Sequence, residues 1–133
     1  MNEEKKKKKN RKQKENLVQL GLMDERDNVV DFFYITYAQR TILKRLRTWE
    51  RGWIYFTEEK IICMTGFLNE NIIIPYENIE EIEKYSYLLC PIGIDITHTD
   101  PETNETKWES FQIWKRKEWL AFLERKTGIK CSN

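Results

Sequence analysis

Residues 53–57, Trp53-Ile54-Tyr55-Phe56-Thr57, and residues 60–65, Lys60-Ile61-Ile62-Cys63-Met64-Thr65, are separated by Glu58-Glu59 alone. Both runs are dense in β-branched and aromatic side chains, which fit a pleated, half-buried surface. A two-residue gap between two such runs is hairpin spacing. Glu-Glu lacks the Asn-Gly or glycine-led chemistry of primed turns, so the spacing carries this reading and the turn type stays open.

Outward from this hairpin the texture repeats. Upstream, Val29 to Ala38 is another β-branched and aromatic run. Downstream, Ile72 to Ile74 reads as a strand stopped by Pro75, which cannot donate to a ladder. Ile79 to Ser86 follows, with Glu80, Glu81 and Glu83 on a wet face. Ile92, Ile94 and Ile96 alternate with Gly93 and Asp95, the period of a half-buried antiparallel strand. Thr99 to Thr106, containing Asp100-Pro101 and Asn104, reads as a polar hairpin loop, and Lys107 to Ile113 as the returning strand. The period then changes: Trp119, Leu120, Phe122 and Leu123 recur at helical spacing, with Lys126 and Gly128 as C-terminal signals. No good N-cap residue stands near Trp114 to Lys117.

The chain of 133 residues suits one domain. Its net charge of +1 conceals a division along the sequence. Residues 1–16 hold eight Lys/Arg against three Glu, an excess of five positive charges, and the remainder holds 15 basic against 19 acidic residues, an excess of four negative. A basic arm on a mildly acidic body is the asymmetry of polyanion-binding proteins. Residues 1–27 are expected to form a basic leader, disordered or partly helical, leading into Leu17, Val18, Leu20 and Leu22; residues 28–128 form the folded body and 129–133 a short tail. The first residues have no apolar region behind them, which predicts no signal peptide. No run reaches the ~20 apolar residues of a membrane span. Cys63, Cys90 and Cys131 form no CxxC pair, and two of them lie in apolar runs as small buried hydrophobes, which points to a reducing, cytoplasmic setting.

Seven or so short strands followed by one amphipathic helix predict a mainly β fold, a seven-stranded antiparallel sandwich or barrel capped by a C-terminal α-helix. This is the pleckstrin-homology (PH) architecture. Within it, the run from Gly52 through Cys63 resembles the glycine–aromatic–Tyr–Thr hairpin of GRAM domains. The segment Ile72-Ile73-Ile74-Pro75-Tyr76-Glu77-Asn78-Ile79-Glu80-Glu81-Ile82-Glu83 is similar to their strand–Pro–turn element. Tyr37 to Leu43 resembles the first strand of GRAM domains in TBC-type Rab GTPase-activating proteins and Aster/Lam proteins, and Trp108-Glu109-Ser110-Phe111 resembles the aromatic-x-Ser-Phe pattern before their final helix. Two departures stand out. Lys44 to Trp49 reads as an insertion between the first two strands, and the family's Arg after the Ser-Phe pair falls here on Trp114.

Arg40, Lys44, Arg45, Arg47 and Arg51 face one acid, Glu50, within twelve positions, with Leu46 and Trp49 interleaved. The resemblance places this stretch in the loop where PH domains grip lipid headgroups. Converging Lys and Arg donors suit phosphate oxygens, and Trp49 suits a membrane interface. The alternative is an ordinary charged hairpin with Trp49 packed on the barrel. Lys115, Arg116 and Lys117 form a second cluster at the start of the final helix, where the helix dipole disfavours cations, so they serve a partner or an acidic strand.

The expected function is non-catalytic, peripheral membrane targeting through anionic phospholipids, phosphoinositides included. The alternatives are a protein-interaction module using a groove between the final helix and the fifth-to-seventh strand region, and nucleic-acid contact through the basic arm. Neither cofactor, metal nor small-molecule substrate is expected, as no Cys/His/Asp ligand spacing, P-loop, GxGxxG or GxSxG occurs. His98 reads as a surface side chain, and Trp53, Trp108 and Trp119 as core packing.

Overall fold

The computed structural model describes residues 2–40, 47–65, 71–87 and 90–132, with side chains outside that description at 39, 40, 47, 48, 87 and 91. The elements are α1 (Glu3–Gln19), β1 (Val29–Arg40), β2 (Arg47–Thr57), β3 (Lys60–Thr65), β4 (Asn71–Pro75), a 3-10 turn (Tyr76–Asn78), β5 (Ile79–Tyr87), β6 (Cys90–Thr99), β7 (Thr106–Gln112) and α2 (Arg116–Thr127). All strands pair antiparallel in one seven-stranded sheet of order β4-β3-β2-β1-β7-β6-β5. The mainly β architecture with a C-terminal helix is as the sequence predicts. One difference is the reach of β2: residues 47–49, expected in an insertion, already pair with 38–40 of β1.

Alternation along the strands sorts side chains to two faces. Ile35 and Tyr37, Ile54 and Phe56, Ile61 and Cys63, Ile74, Ile82, Ile94 and Ile96, and Phe111 share one buried cluster. Residues of both sheet edges meet in that cluster, so the sheet bends over a single core. Helix α2 completes it with Trp119, Leu120, Phe122 and Leu123, and the Trp119 ring stacks on Phe56 with centroids 4.2 Å apart. Gly128, at φ 73°, closes α2 by donating its N–H to the Glu124 carbonyl. Lys115 stands at the N-cap position with φ 59° and no side-chain cap, as the missing N-cap signal implied.

A second cluster lies on the outer face. Helix α1 seats Leu17 against Val29, Tyr55, Ile62 and Met23. The same helix is fixed by Asn10 donating to the Val30 carbonyl at 3.0 Å and by Lys6 pairing with Asp31 at 3.2 Å. The β2–β3 turn takes its chemistry from outside the Glu58-Glu59 pair. The Thr57 hydroxyl donates to Asp27 at 2.6 Å and accepts from the N–H groups of Lys60 and Glu59, and Asp27 also accepts from Glu58 N–H at 3.1 Å. Asp27 is fully buried and thereby clamps the entry to β1 onto this turn.

Two substitutions check these packing arguments by urea unfolding. Leu17, 1% exposed, is expected to cost about 2–5 kcal/mol as Leu17→Ala. At Gly52 a Cβ would meet the Met64 carbonyl oxygen at 2.6 Å, backbone that cannot swing aside, so Gly52→Ala is expected to cost about 1–3 kcal/mol.

Candidate functional site

The register places the backbone of Arg40 and Arg47 at one end of the sheet. Arg40 pairs with Arg47, and Gln39 with Glu109 of β7, so these strand ends lie beside the start of β7, next to the β6–β7 turn. Lys44 and Arg45 lie outside the described residues, and for Arg40 and Arg47 the backbone position alone is described. The neighbouring turn is acidic, with Asp100, Glu102 and Glu105, and Asp100 pairs with Lys107 at 3.8 Å.

Arg51 is exposed on β2, its guanidinium 4.6 Å above the Tyr34 ring. Trp49 is half-buried, and its ring stacks at 6.1 Å with Tyr85 of β5. The Tyr85 ring lies over Gly93, where a Cβ would come within 2.1 Å of it. Trp49 thus packs along the outer face of the sheet.

Of the second cluster, Lys115 and Lys117 are exposed. Arg116 is committed elsewhere: it donates to the carbonyls of Tyr85 at 2.9 Å and Gly93 at 3.4 Å, pinning β5 and β6 to the start of α2. Tyr85 therefore touches Trp49 of the first hairpin with its ring and Arg116 of α2 with its carbonyl. Between α2 and β5 lies a depression of about 450 Å³ lined by Lys84, Arg116, Lys117, Leu120, Glu124 and Cys131. Ser132 bridges to the β5 edge there, donating to Ile82 and accepting from Lys84 at 2.9 Å each.

Four expectations change. His98 is not a surface group: it is 5% exposed and hydrogen-bonded to Glu109, which also accepts from the Tyr37 hydroxyl at 3.0 Å. The period of two from Ile94 and Ile96 already directs His98 inward. Trp53 is 42% exposed, because Ile54 and Phe56 take the core side and leave it on the outer face. Trp108 shares that outer side, opposite Thr97, while Trp119 is core as expected. Cys90 is exposed, while Cys63 is buried.

Chemically, the interior polar groups hold one another. Glu109, 1% exposed, is held by the Tyr37 hydroxyl and the His98 ring, and Ser110 donates to Asp95 at 2.6 Å. Burial first, then the Glu109 carboxylate, pushes the Tyr37 phenol well above its usual range. Burial likewise raises Tyr76 and the Cys63 thiol. No cluster of three His, Cys, Asp or Glu that could hold a metal occurs among the described residues. Nor, among them, is any helix long and apolar enough to cross a membrane.

Sequence comparison gives no matching family model and no matching curated protein. Solved structures do match. The C-terminal domain of an unknown protein from Leishmania infantum superposes with a TM-score of 0.57 at 14% identity, over 86% of this chain and 93% of that one. The Vps36 N-terminal PH domain gives 0.54 at 16% identity, over 80% and 83%. A structure of the Vav1 exchange factor, described for the role of its PH and C1 domains, gives 0.52 at 8% identity, over 92% of this chain and 33% of that one. The chain therefore has a PH-like fold.

Two solution measurements follow from the interior. A thiol reagent such as DTNB is expected to label exposed Cys90 in the native protein and Cys63 only on unfolding. The Tyr37 and Tyr76 phenols have folded pKa values raised above the ordinary phenol value of 10.0. Their contribution to stability is complete below that pH and lost as pH rises through and beyond it. The urea midpoint is expected to fall as pH rises above about 10, and to fall less in Tyr37→Phe.

Proposed function

We propose that this chain is a non-catalytic membrane-targeting module of the GRAM type that binds anionic phospholipids, phosphoinositides among them, at a cytoplasmic membrane surface. The body, 28–128, supplies the scaffold and the leader, 1–27, a second cationic element. The carrying observation is that the lysine-rich segment is helix α1 docked on the sheet by Leu17, Asn10 and Lys6, which holds its cations in a fixed place on the body. The hairpin cations Arg40, Lys44, Arg45, Arg47 and Arg51, together with Lys115 and Lys117, add to this charge. Each basic group near an anionic leaflet is worth about 1 kcal/mol, so the set suffices for reversible attachment without deep insertion.

A second reading is a protein-interaction module, favoured by the depression between α2 and β5, whose mixed lining of Lys84, Lys117 and Glu124 with Leu120 suits a partner segment. Co-sedimentation separates the two. The protein is expected to pellet with phosphatidylcholine–phosphatidylserine vesicles at low salt and to be released at high salt. Lys44→Glu, Arg45→Glu and Arg47→Glu together are expected to weaken pelleting by about tenfold or more. Protein that stays in the supernatant with both phosphatidylserine and phosphoinositide vesicles at low salt excludes the lipid reading.

A further inference from the structure

Helix α1 touches the sheet at successive strands. Lys6 reaches Asp31 and Asn10 reaches Val30 on β1, Gln13 accepts from the Tyr55 hydroxyl of β2, and Leu17 packs on Ile62 of β3. The helix therefore lies across the strands. On one flank, Lys7, Arg11 and Lys14 line a cleft with Asn28 and Val29, at the beginning of β1. At 100° per residue, Lys5, Lys9 and Lys12 fall about half a turn away, on the flank that looks further along the hairpin. All three are exposed.

Along the hairpin from that flank runs a row of aromatic rings. Tyr55 stacks with Phe32 at 5.8 Å, Phe32 meets Trp53 at 6.0 Å, and Trp53 meets Tyr34 at 5.3 Å. The outer two are open to solvent, Tyr34 at 53% and Trp53 at 42%. Arg51 closes the row over Tyr34, and the Arg40–Arg47 pair follows in register. An aromatic strip between two cationic borders is the pattern of an interfacial surface, with rings at headgroup level and ammonium and guanidinium groups on phosphates.

We propose that this outer face of the first hairpin, Tyr34 and Trp53 bordered by Lys5, Lys9 and Lys12 on one side and Arg51 on the other, is the face that lies on an anionic phospholipid leaflet. The proposal rests on the lipid-binding reading above and deepens it by naming the surface. Charge complementarity selects the occupant: residues 1–16 carry five excess positive charges and the rest of the chain four excess negative. A planar anionic surface approaching this side meets the exposed lysines of α1 and Arg51. A nucleic-acid strand is the competing polyanion, and the test separates it.

Binding is measured with phosphatidylcholine vesicles with and without phosphatidylserine, and with single-stranded polyuridylate. Native folding of each variant is checked by circular dichroism. Lys5→Glu, Lys9→Glu and Lys12→Glu together are expected to weaken binding to phosphatidylserine vesicles on the order of a hundredfold. Lys7→Glu with Arg11→Glu, on the far flank about a Debye length away, is expected to change it by no more than about fivefold. Trp53→Ser with Tyr34→Ser is expected to weaken binding by about tenfold and to abolish the blue shift of tryptophan emission seen with the parent protein. Vesicle binding that survives the aromatic pair of substitutions with its blue shift intact overturns this face while leaving lipid binding standing. Equal losses from the two lysine flanks overturn it also. A parent protein that ignores both vesicle types fails the lipid reading itself, and Trp53-dependent binding to polyuridylate alone assigns the face to nucleic acid and overturns the proposal.

Discussion

Strand β1 hydrogen-bonds to β2 along its length and to β7 at its far end, and its period of two divides the molecule. Ile35 and Tyr37 go down into the core with Ile54 and Phe56, while Phe32 and Tyr34 stay above with Trp53 and Tyr55. A slip of one residue would exchange these sets, exposing the core and burying the aromatic strip. Helix α2 depends on the lower set for its apolar stripe, and helix α1 depends on the upper set for the seat of Leu17. Both helices, and every charged surface they present, are therefore positioned by one ladder.

Polar groups secure that ladder at its two ends. Asp27 and Thr57 lock the closed turn between β2 and β3 to the entry of β1. At the other end Glu109 joins Tyr37 to His98, tying β1, β6 and β7 inside the core. Buried polar groups of this kind cost free energy unless fully partnered, and in return fix a single arrangement of the strands they join. The acidic β6–β7 turn and the strand ends at Arg40 and Arg47 lie beside this second network.

Much of the architecture was legible because alternation and helical spacing are local properties. Ile92, Ile94 and Ile96 read as a half-buried strand, and Trp119, Leu120, Phe122 and Leu123 as a helix stripe, without knowledge of any partner. The readings that failed concerned which way a chemically versatile residue turns. His98 was judged by its place beside a polar loop, though its parity with Ile96 set it inside against Glu109. Trp53 reads as core packing by periodicity, though its neighbours Ile54 and Phe56 take the core side and leave it on the outer face. Glu58-Glu59 has no turn chemistry of its own because Thr57 and the distant Asp27 supply it.

By itself the sequence determined the strands and the C-terminal helix, the two-faced character of the strands and the separation of charge between leader and body, since each follows from residue order over a few positions. Tertiary structure alone decided that the lysine-rich segment becomes a helix laid across three strands beside Trp53 and Tyr34. That juxtaposition needs Leu17 to find Tyr55 and Ile62, residues about forty positions away, and long-range burial of this kind leaves no periodic mark in the chain.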